Sequence, residues 1–312
     1  MELVTARFED VLRVAEIQTK IISMSSFVLG TAYAAFQAGA FSLGKTALML
    51  VAVLGVDMGT TAFNSYFDAK RGVDDRRYNR EANKVLVHRG ISAGFALLVA
   101  LGCFAVAAVF GLGIIVWVGP EILVVGVISM AVGFFYNGGP LPISTTPVGE
   151  LFAGGFLGGL LFWLSYYVQT EVLTTAALWA GLPSFLLVSA ILAVNNTCDV
   201  VGDRAAGRRT FAVLAGRGAS EGLTWALVGS AHLLVLWYGL AALELVAGPL
   251  EVFAGSGLAA VAAGLLSAAF AARAMWHMHR RGYSHETKGA QMQAISRVFL
   301  VLSGCVLVAM AL

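Results

Sequence analysis

A chain of 312 residues that is 59% hydrophobic and only 12% charged falls far short of the roughly 25% charged residues of an ordinary soluble domain. It has too few polar side chains to cover a water-exposed fold of that size. Cys103, Cys198 and Cys305 lack any CxxC or ligand-like spacing, which argues against a disulfide scaffold and a structural zinc site. The net charge of +2 says little by itself, and no nucleic-acid partner is expected.

The first twenty residues hold Glu2, Glu9, Asp10 and Glu16 beside three basic residues, which argues against a cleavable signal peptide. Apolar runs then recur at approximately 22–40, 46–66, 91–112, 115–136, 150–169, 176–196, 221–244, 252–273 and 295–312. Each is near the roughly 20 residues that a helix needs to cross a bilayer. Several have no polar face, which separates them from helices of a soluble bundle. The 36 glycines lie largely inside these runs, where small residues allow membrane helices to pack closely. Short connections after the third and fifth runs predict tight helical hairpins.

Nine spans place the chain ends on opposite sides, and the basic residues test that partition. One side receives Arg7, Arg13 and Lys20, then the seven basic residues from Lys70 to Arg89. It also receives the four from Arg204 to Arg217 and the five from Arg273 to Arg297. Of the 20 lysines and arginines, only Lys45 falls opposite. Because basic residues concentrate in cytoplasmic loops, the N-terminus is expected in the cytoplasm and the C-terminus beyond the membrane. The expected architecture is an all-α, polytopic protein of the inner or cytoplasmic membrane, with nine transmembrane helices. A single intramembrane domain over 1–312 is expected, with two pseudo-equivalent halves, about 1–140 and 141–312, around a central cavity.

Two acidic constellations suggest those halves. The first runs from Asn64 through Asp68, Lys70 and Gly72 to Asp74 and Asp75, and helical spacing puts Asp57, Asn64 and Asp68 on one face. Asp57 lies deeper and also reads as a polar contact between helices. The second comprises Asn195, Asn196, Asp199 and Asp203, followed by Arg204, Gly207, Arg208, Arg209 and Thr210. Intervals of four align Asn195, Asp199 and Asp203 as one stripe. Carboxylates at the ends of apolar helices are costly unless paired, hydrated or coordinated. Hard oxygen ligands suit Mg2+, which bridges carboxylates to phosphate oxygens, while arginine and lysine hold the oxygens that the metal does not reach. The competing reading is solvated helix ends paired with local arginines; duplication on one predicted side favours a site for a polyanion.

These two motifs resemble those of the intramembrane aromatic prenyltransferase (UbiA-like) superfamily, and look most like its 1,4-dihydroxy-2-naphthoate branch. A third segment, from Phe135 and Tyr136 through Gly138, Gly139, Pro140 and Pro142 to Gly149 and Glu150, is similar to that branch's Tyr-x-Gly-Gly-Pro-x-Pro turn. Taken alone it is also an ordinary interhelical turn. The resemblance implies Mg2+-dependent transfer of a polyprenyl group from its diphosphate to an aromatic quinone precursor within membrane lipid. No obligate protein partner is implied.

Residue by residue, the resemblance assigns Asn64, Asp68 and Asp74 to one metal and diphosphate subsite and Asn195, Asp199 and Asp203 to the other. Asp68, Asp74, Asp199 and Asp203 would be the Mg2+ ligands. Lys70, Arg77, Arg80, Lys84, Arg208 and Arg209 would hold diphosphate, with Lys20, Asn196 and Tyr136 in acceptor or accessory roles. The chain departs from many relatives at Ser65, Tyr78, Cys198 and Asn83-Lys84-Val85, so 4-hydroxybenzoate, homogentisate or another precursor is the alternative acceptor.

Other features read more simply. His277, His279 and His285 lack the complement of a transition-metal site and read as a polar connection, with phosphate contact an option. His232 reads as a hydrogen-bonded helix contact. Phe134, Phe135, Phe152, Phe156, Phe162 and Trp163 are candidates for an apolar furrow or for packing. A transporter is the alternative of another class, but it calls for acids near the membrane midplane instead of clusters at one face.

Overall fold

The computed structural model describes residues 8–71, 92–248, 250–253 and 256–312. All the longer regular elements among them are helices, as expected where lipid cannot satisfy backbone N–H and C=O groups. In chain order they are α1 (Phe8–Val14), α2 (Ile21–Gln37), α3 (Leu43–Arg71), α4 (Ala93–Trp117) and α5 (Glu121–Asn137). Then come α6 (Gly149–Thr170), α7 (Thr175–Ala205), α8 (Phe211–Ala215), α9 (Arg217–Ala242), α10 (Gly257–Arg281) and α11 (Lys288–Ala311).

Seven of these, α3, α4, α6, α7, α9, α10 and α11, are long and apolar enough to cross a membrane. The two others matching expected spans, α2 and α5, are shorter apolar helices of 17 residues, so length and composition alone support seven crossings. Several helices overrun their expected boundaries, among them α3 and α7. Both helices continue beyond their apolar runs into the acidic motifs, reaching Arg71 and Ala205. Hydropathy marks where lipid contact ends, whereas the helical hydrogen-bond ladder continues into polar surroundings.

The chain forms two compact units, Met1–Ile21 with Gly44–Thr146, and Ile22–Leu43 with Pro147–Leu312. In the first, Val14, Ala62, Phe63, Ala96, Val99 and Ala100 form the buried core. Phe63 meets Phe104 and Phe134 edge to face, with centroids 5.1 and 5.2 Å apart, a favoured aromatic geometry. In the second, α7 is the central helix, with 61% of its most apolar stretch buried against 33% for α10.

Two local features seat α7. Gly158 lies in a π-helical segment of α6, Gly154–Leu160. A Cβ there would come within 2.5 Å of the Ser184 carbonyl and 2.7 Å of Phe185 Cα, so this backbone approach needs glycine. Pro183 stands inside α7 without a backbone N–H, which strands the carbonyl of Trp179 four residues earlier. The Tyr238 hydroxyl of α9 donates to that carbonyl at 2.9 Å.

Candidate active site

The first motif lies in the first unit, on the last turns of α3. Asp68 is buried at 4% exposure, Asn64 is half-buried, and Lys70 is exposed with its ammonium 5.1 Å from the Tyr66 ring centroid. Asp57, two helical turns deeper than Asn64, accepts from Lys20: Nζ is 2.7 Å from Oδ1, with side chains 5% and 11% exposed. The same ammonium donates to Thr61 Oγ1 at 2.6 Å. Lys20, in the turn before α2, and Asp57 therefore form a buried ion pair within the first unit. Asp74, Arg77, Arg80 and Lys84 lie outside the described residues.

The Tyr136 segment closes α5. Tyr136 is half-buried on the last turn, and the Ser144 hydroxyl donates to Asn137 Oδ1 at 2.9 Å. Gly139 takes φ +79°, the left-handed conformation that favours glycine. Arg71 donates to the Gly139 carbonyl at 3.2 Å, tying this turn to the end of α3.

The second motif lies in the second unit at the end of α7. Asn195 and Asp199 are half-buried, while Asn196 and Asp203 are 7% and 6% exposed. Arg208 folds back so that its backbone N–H donates to the Asp203 carbonyl at 2.9 Å and its Nη1 reaches Asp203 Oδ1 at 3.3 Å. Gly207, at φ +72°, makes that reversal. Arg209 is exposed, and Thr210 caps α8 by accepting from the Val213 N–H.

Three contacts here escaped the sequence reading. Lys288, at the start of α11, donates to Asp199 Oδ2 at 2.6 Å, and His285 Nδ1 lies 3.7 Å from Oδ1. Asn196 Nδ2 donates to Glu150 Oε1 at 2.9 Å. Glu150 is 5% exposed, and its Oε2 has no hydrogen-bond partner among the described residues. The pairs are 89, 86 and 46 residues apart in sequence, so helical spacing carries no signal for them. A carboxylate such as Asp199, with no Lys or Arg three or four residues away on its helix, is a general cue to seek distant basic partners.

The weaker candidates resolve into separate roles. His279 pairs with Glu221 at 2.8 Å, and His232 Nδ1 lies 2.8 Å from its own helix carbonyl, that of Val228. Phe162 is core at 1% exposure, whereas Phe135 is 51% exposed. Phe152 and Phe156 stack with centroids 6.1 Å apart. A cavity in the second unit, lined by Phe162, Pro183, Tyr238, Phe253 and Phe299 among others, measures about 20 Å³. That is room for about one water, too little for an isoprenoid chain.

Long apolar helices bearing acidic motifs with basic partners define a multi-pass membrane protein of the all-helical class. Residues 23–309 match the UbiA prenyltransferase family, and the chain belongs to that family. It is 32% identical over 189 residues to the 1,4-dihydroxy-2-naphthoate octaprenyltransferase of Bacillus subtilis (strain 168). That alignment covers 61% of this chain and 60% of the relative, less than two thirds of the relative's length. The fold is similar to an apo UbiA homolog from Aeropyrum pernix K1, with TM-score 0.64 and 18% identity over 92% of this chain and 98% of that one. It is also similar to a UbiA homolog from Archaeoglobus fulgidus bound to DMAPP and Mg2+, with TM-score 0.62 and 18% identity over 94% and 99%. At such identities the likeness is one of fold.

Proposed function

We propose that this protein transfers a polyprenyl group from polyprenyl diphosphate to 1,4-dihydroxy-2-naphthoate, with release of diphosphate and carbon dioxide, forming demethylmenaquinol. The observation that carries the proposal is the Asn195, Asp199 and Asp203 stripe, whose two carboxylates face the cations of Lys288 and Arg208. Family membership and the name of the Bacillus subtilis relative support the reaction and the acceptor.

The donor set fits Mg2+. Among the described residues no three His, Cys, Asp or Glu side chains converge as an all-protein cage. Mg2+ needs no such cage, since it commonly takes one or two carboxylates and completes its shell with water and phosphate oxygens. Asp199 and Asp203, one turn apart on α7, offer such carboxylates, and the donor-bound Archaeoglobus fulgidus homolog holds Mg2+. Mg2+ held by these carboxylates would supply positive charge that neutralises the departing diphosphate.

In this reading Asn64, Asp68 and Asp74 serve one subsite and Asn195, Asp199 and Asp203 the other. Lys70, Arg77, Arg80, Lys84, Arg208 and Arg209 hold diphosphate oxygens as the allylic C–O bond breaks and its electron pair leaves with diphosphate. The ring carbon bearing the carboxylate forms the new C–C bond. Carbon dioxide then departs, returning its bonding pair to the ring. Tyr136, Asn196 and the buried Lys20 act as accessory residues. The predominance of basic residues on one predicted side supports a cytoplasmic location for the N-terminus and the motifs.

The test supplies purified protein with labelled polyprenyl diphosphate, Mg2+ and a panel of acceptors. The expected result is prenylated product and carbon dioxide from 1,4-dihydroxy-2-naphthoate. Turnover of 4-hydroxybenzoate or homogentisate with none of the naphthoate transfers the assignment to another quinone precursor.

A further inference from the structure

Asp199 is the carboxylate of the second motif with both oxygens approached from one short segment. Lys288 Nζ is 2.6 Å from Oδ2 and His285 Nδ1 is 3.7 Å from Oδ1, and all three side chains are between 15% and 25% exposed. This is a partly sheltered contact, in which charge is less screened than at an open surface.

The backbone beneath Lys288 is fixed. Gln291, fully buried, donates through Nε2 to the carbonyls of Met278 at 2.9 Å and Gly282 at 2.7 Å, closing the end of α10 onto the start of α11. Thr287 Oγ1 donates to the Gly282 carbonyl at 2.9 Å. Lys288 is the first residue of α11, where the helix dipole disfavours positive charge. Helix stabilisation therefore does not account for a lysine here, and its ion pair does. A flexible four-carbon stem on a fixed base lets the ammonium change partner with no movement of the helix.

We infer that Lys288 is a further diphosphate-binding side chain, and that before substrate arrives its ammonium holds Asp199 in place of a divalent cation. The inference rests on the metal and diphosphate reading given above. A divalent cation carries twice the charge of the ammonium and takes the same carboxylate oxygen. The displaced ammonium then lies beside a ligand rich in anionic oxygens, to which it turns. Each partner exchange keeps Asp199 neutralised, so the half-buried carboxylate is never left as an uncompensated charge.

The experiment uses the purified full-length protein and reads binding. Mn2+, which shares the preference of Mg2+ for carboxylate oxygen, is titrated alone and followed by electron paramagnetic resonance. Removing the competing ammonium in K288M tightens Mn2+ binding about tenfold. With saturating Mg2+ and a nonreactive isoprenyl thiolodiphosphate, K288M binds the diphosphate about tenfold more weakly, while K288R retains most of the affinity. In a D199N background the K288M substitution no longer changes Mn2+ binding. Should K288M not fold, K288Q is read in its place. Unchanged or weaker Mn2+ binding, or undiminished diphosphate binding, in a folded variant overturns the role of Lys288 while wild-type binding leaves the site reading intact. Wild-type protein that binds neither probe overturns both.

Discussion

The Tyr238 hydroxyl donates to the Trp179 carbonyl at 2.9 Å, filling the acceptor that Pro183 leaves open inside α7. An unpaired carbonyl in the interior costs about 1–3 kcal/mol, so the proline and the tyrosine act as a pair across two helices. Y238F is expected to destabilise the protein by about 1 kcal/mol, near the upper range of interhelical bonds in membranes. In a P183A background the same change costs less, since an alanine at that position restores the helical N–H. Thermal unfolding of the four proteins in detergent measures this coupling, and strictly additive losses would refute it.

Lys20 and Asp57 make a second dependent pair. K20M leaves the Asp57 carboxylate buried at 9% exposure without its ammonium, a loss of about 3–5 kcal/mol for a broken buried pair. K20M combined with D57L removes both charges and is expected to recover much of that stability. Melting temperatures of the single and double variants check the order.

At Glu150, E150A removes the acceptor of the Asn196 amide and is expected to cost about 1–3 kcal/mol. E150Q preserves an acceptor oxygen at the same place and keeps most of the stability. Equal losses in the two variants, measured by unfolding, would contradict a hydrogen-bond role for this contact.

Tyr283, in the connection between α10 and α11, carries a pH signature. Burial pushes its phenol above the ordinary tyrosine value of 10.0, and negative charge on Glu221 and Cys198 adds to the rise. The unfolded phenol therefore ionises first. The stability linked to Tyr283 is fully present below pH 10.0 and declines as pH rises above that value. Y283F flattens this decline. At neutral pH it costs little, because the hydroxyl has no hydrogen-bond partner among the described residues. Unfolding midpoints across alkaline pH supply the comparison.

Much of the helical order was legible because uninterrupted apolar runs have few structural alternatives in lipid. Their polar ends were less so: α3 and α7 carry their ladders past Asp68 and Asp203, where hydropathy has already fallen. The acidic stripe on α7 follows from period alone. Its partners do not, since Lys288 and Glu150 meet Asp199 and Asn196 through packing of distant helices. Asp57 showed the same limit: its helical face was correct, and only the fold identified Lys20 as its partner.

The most direct test of the central claim is Mg2+-dependent release of diphosphate from a polyprenyl donor in the presence of 1,4-dihydroxy-2-naphthoate. Wild type is compared with folded D68N and D199N. The account predicts release by wild type that disappears on chelation and is abolished in either variant. Unchanged release in D68N or D199N would contradict the assignment of these motifs as the reaction site.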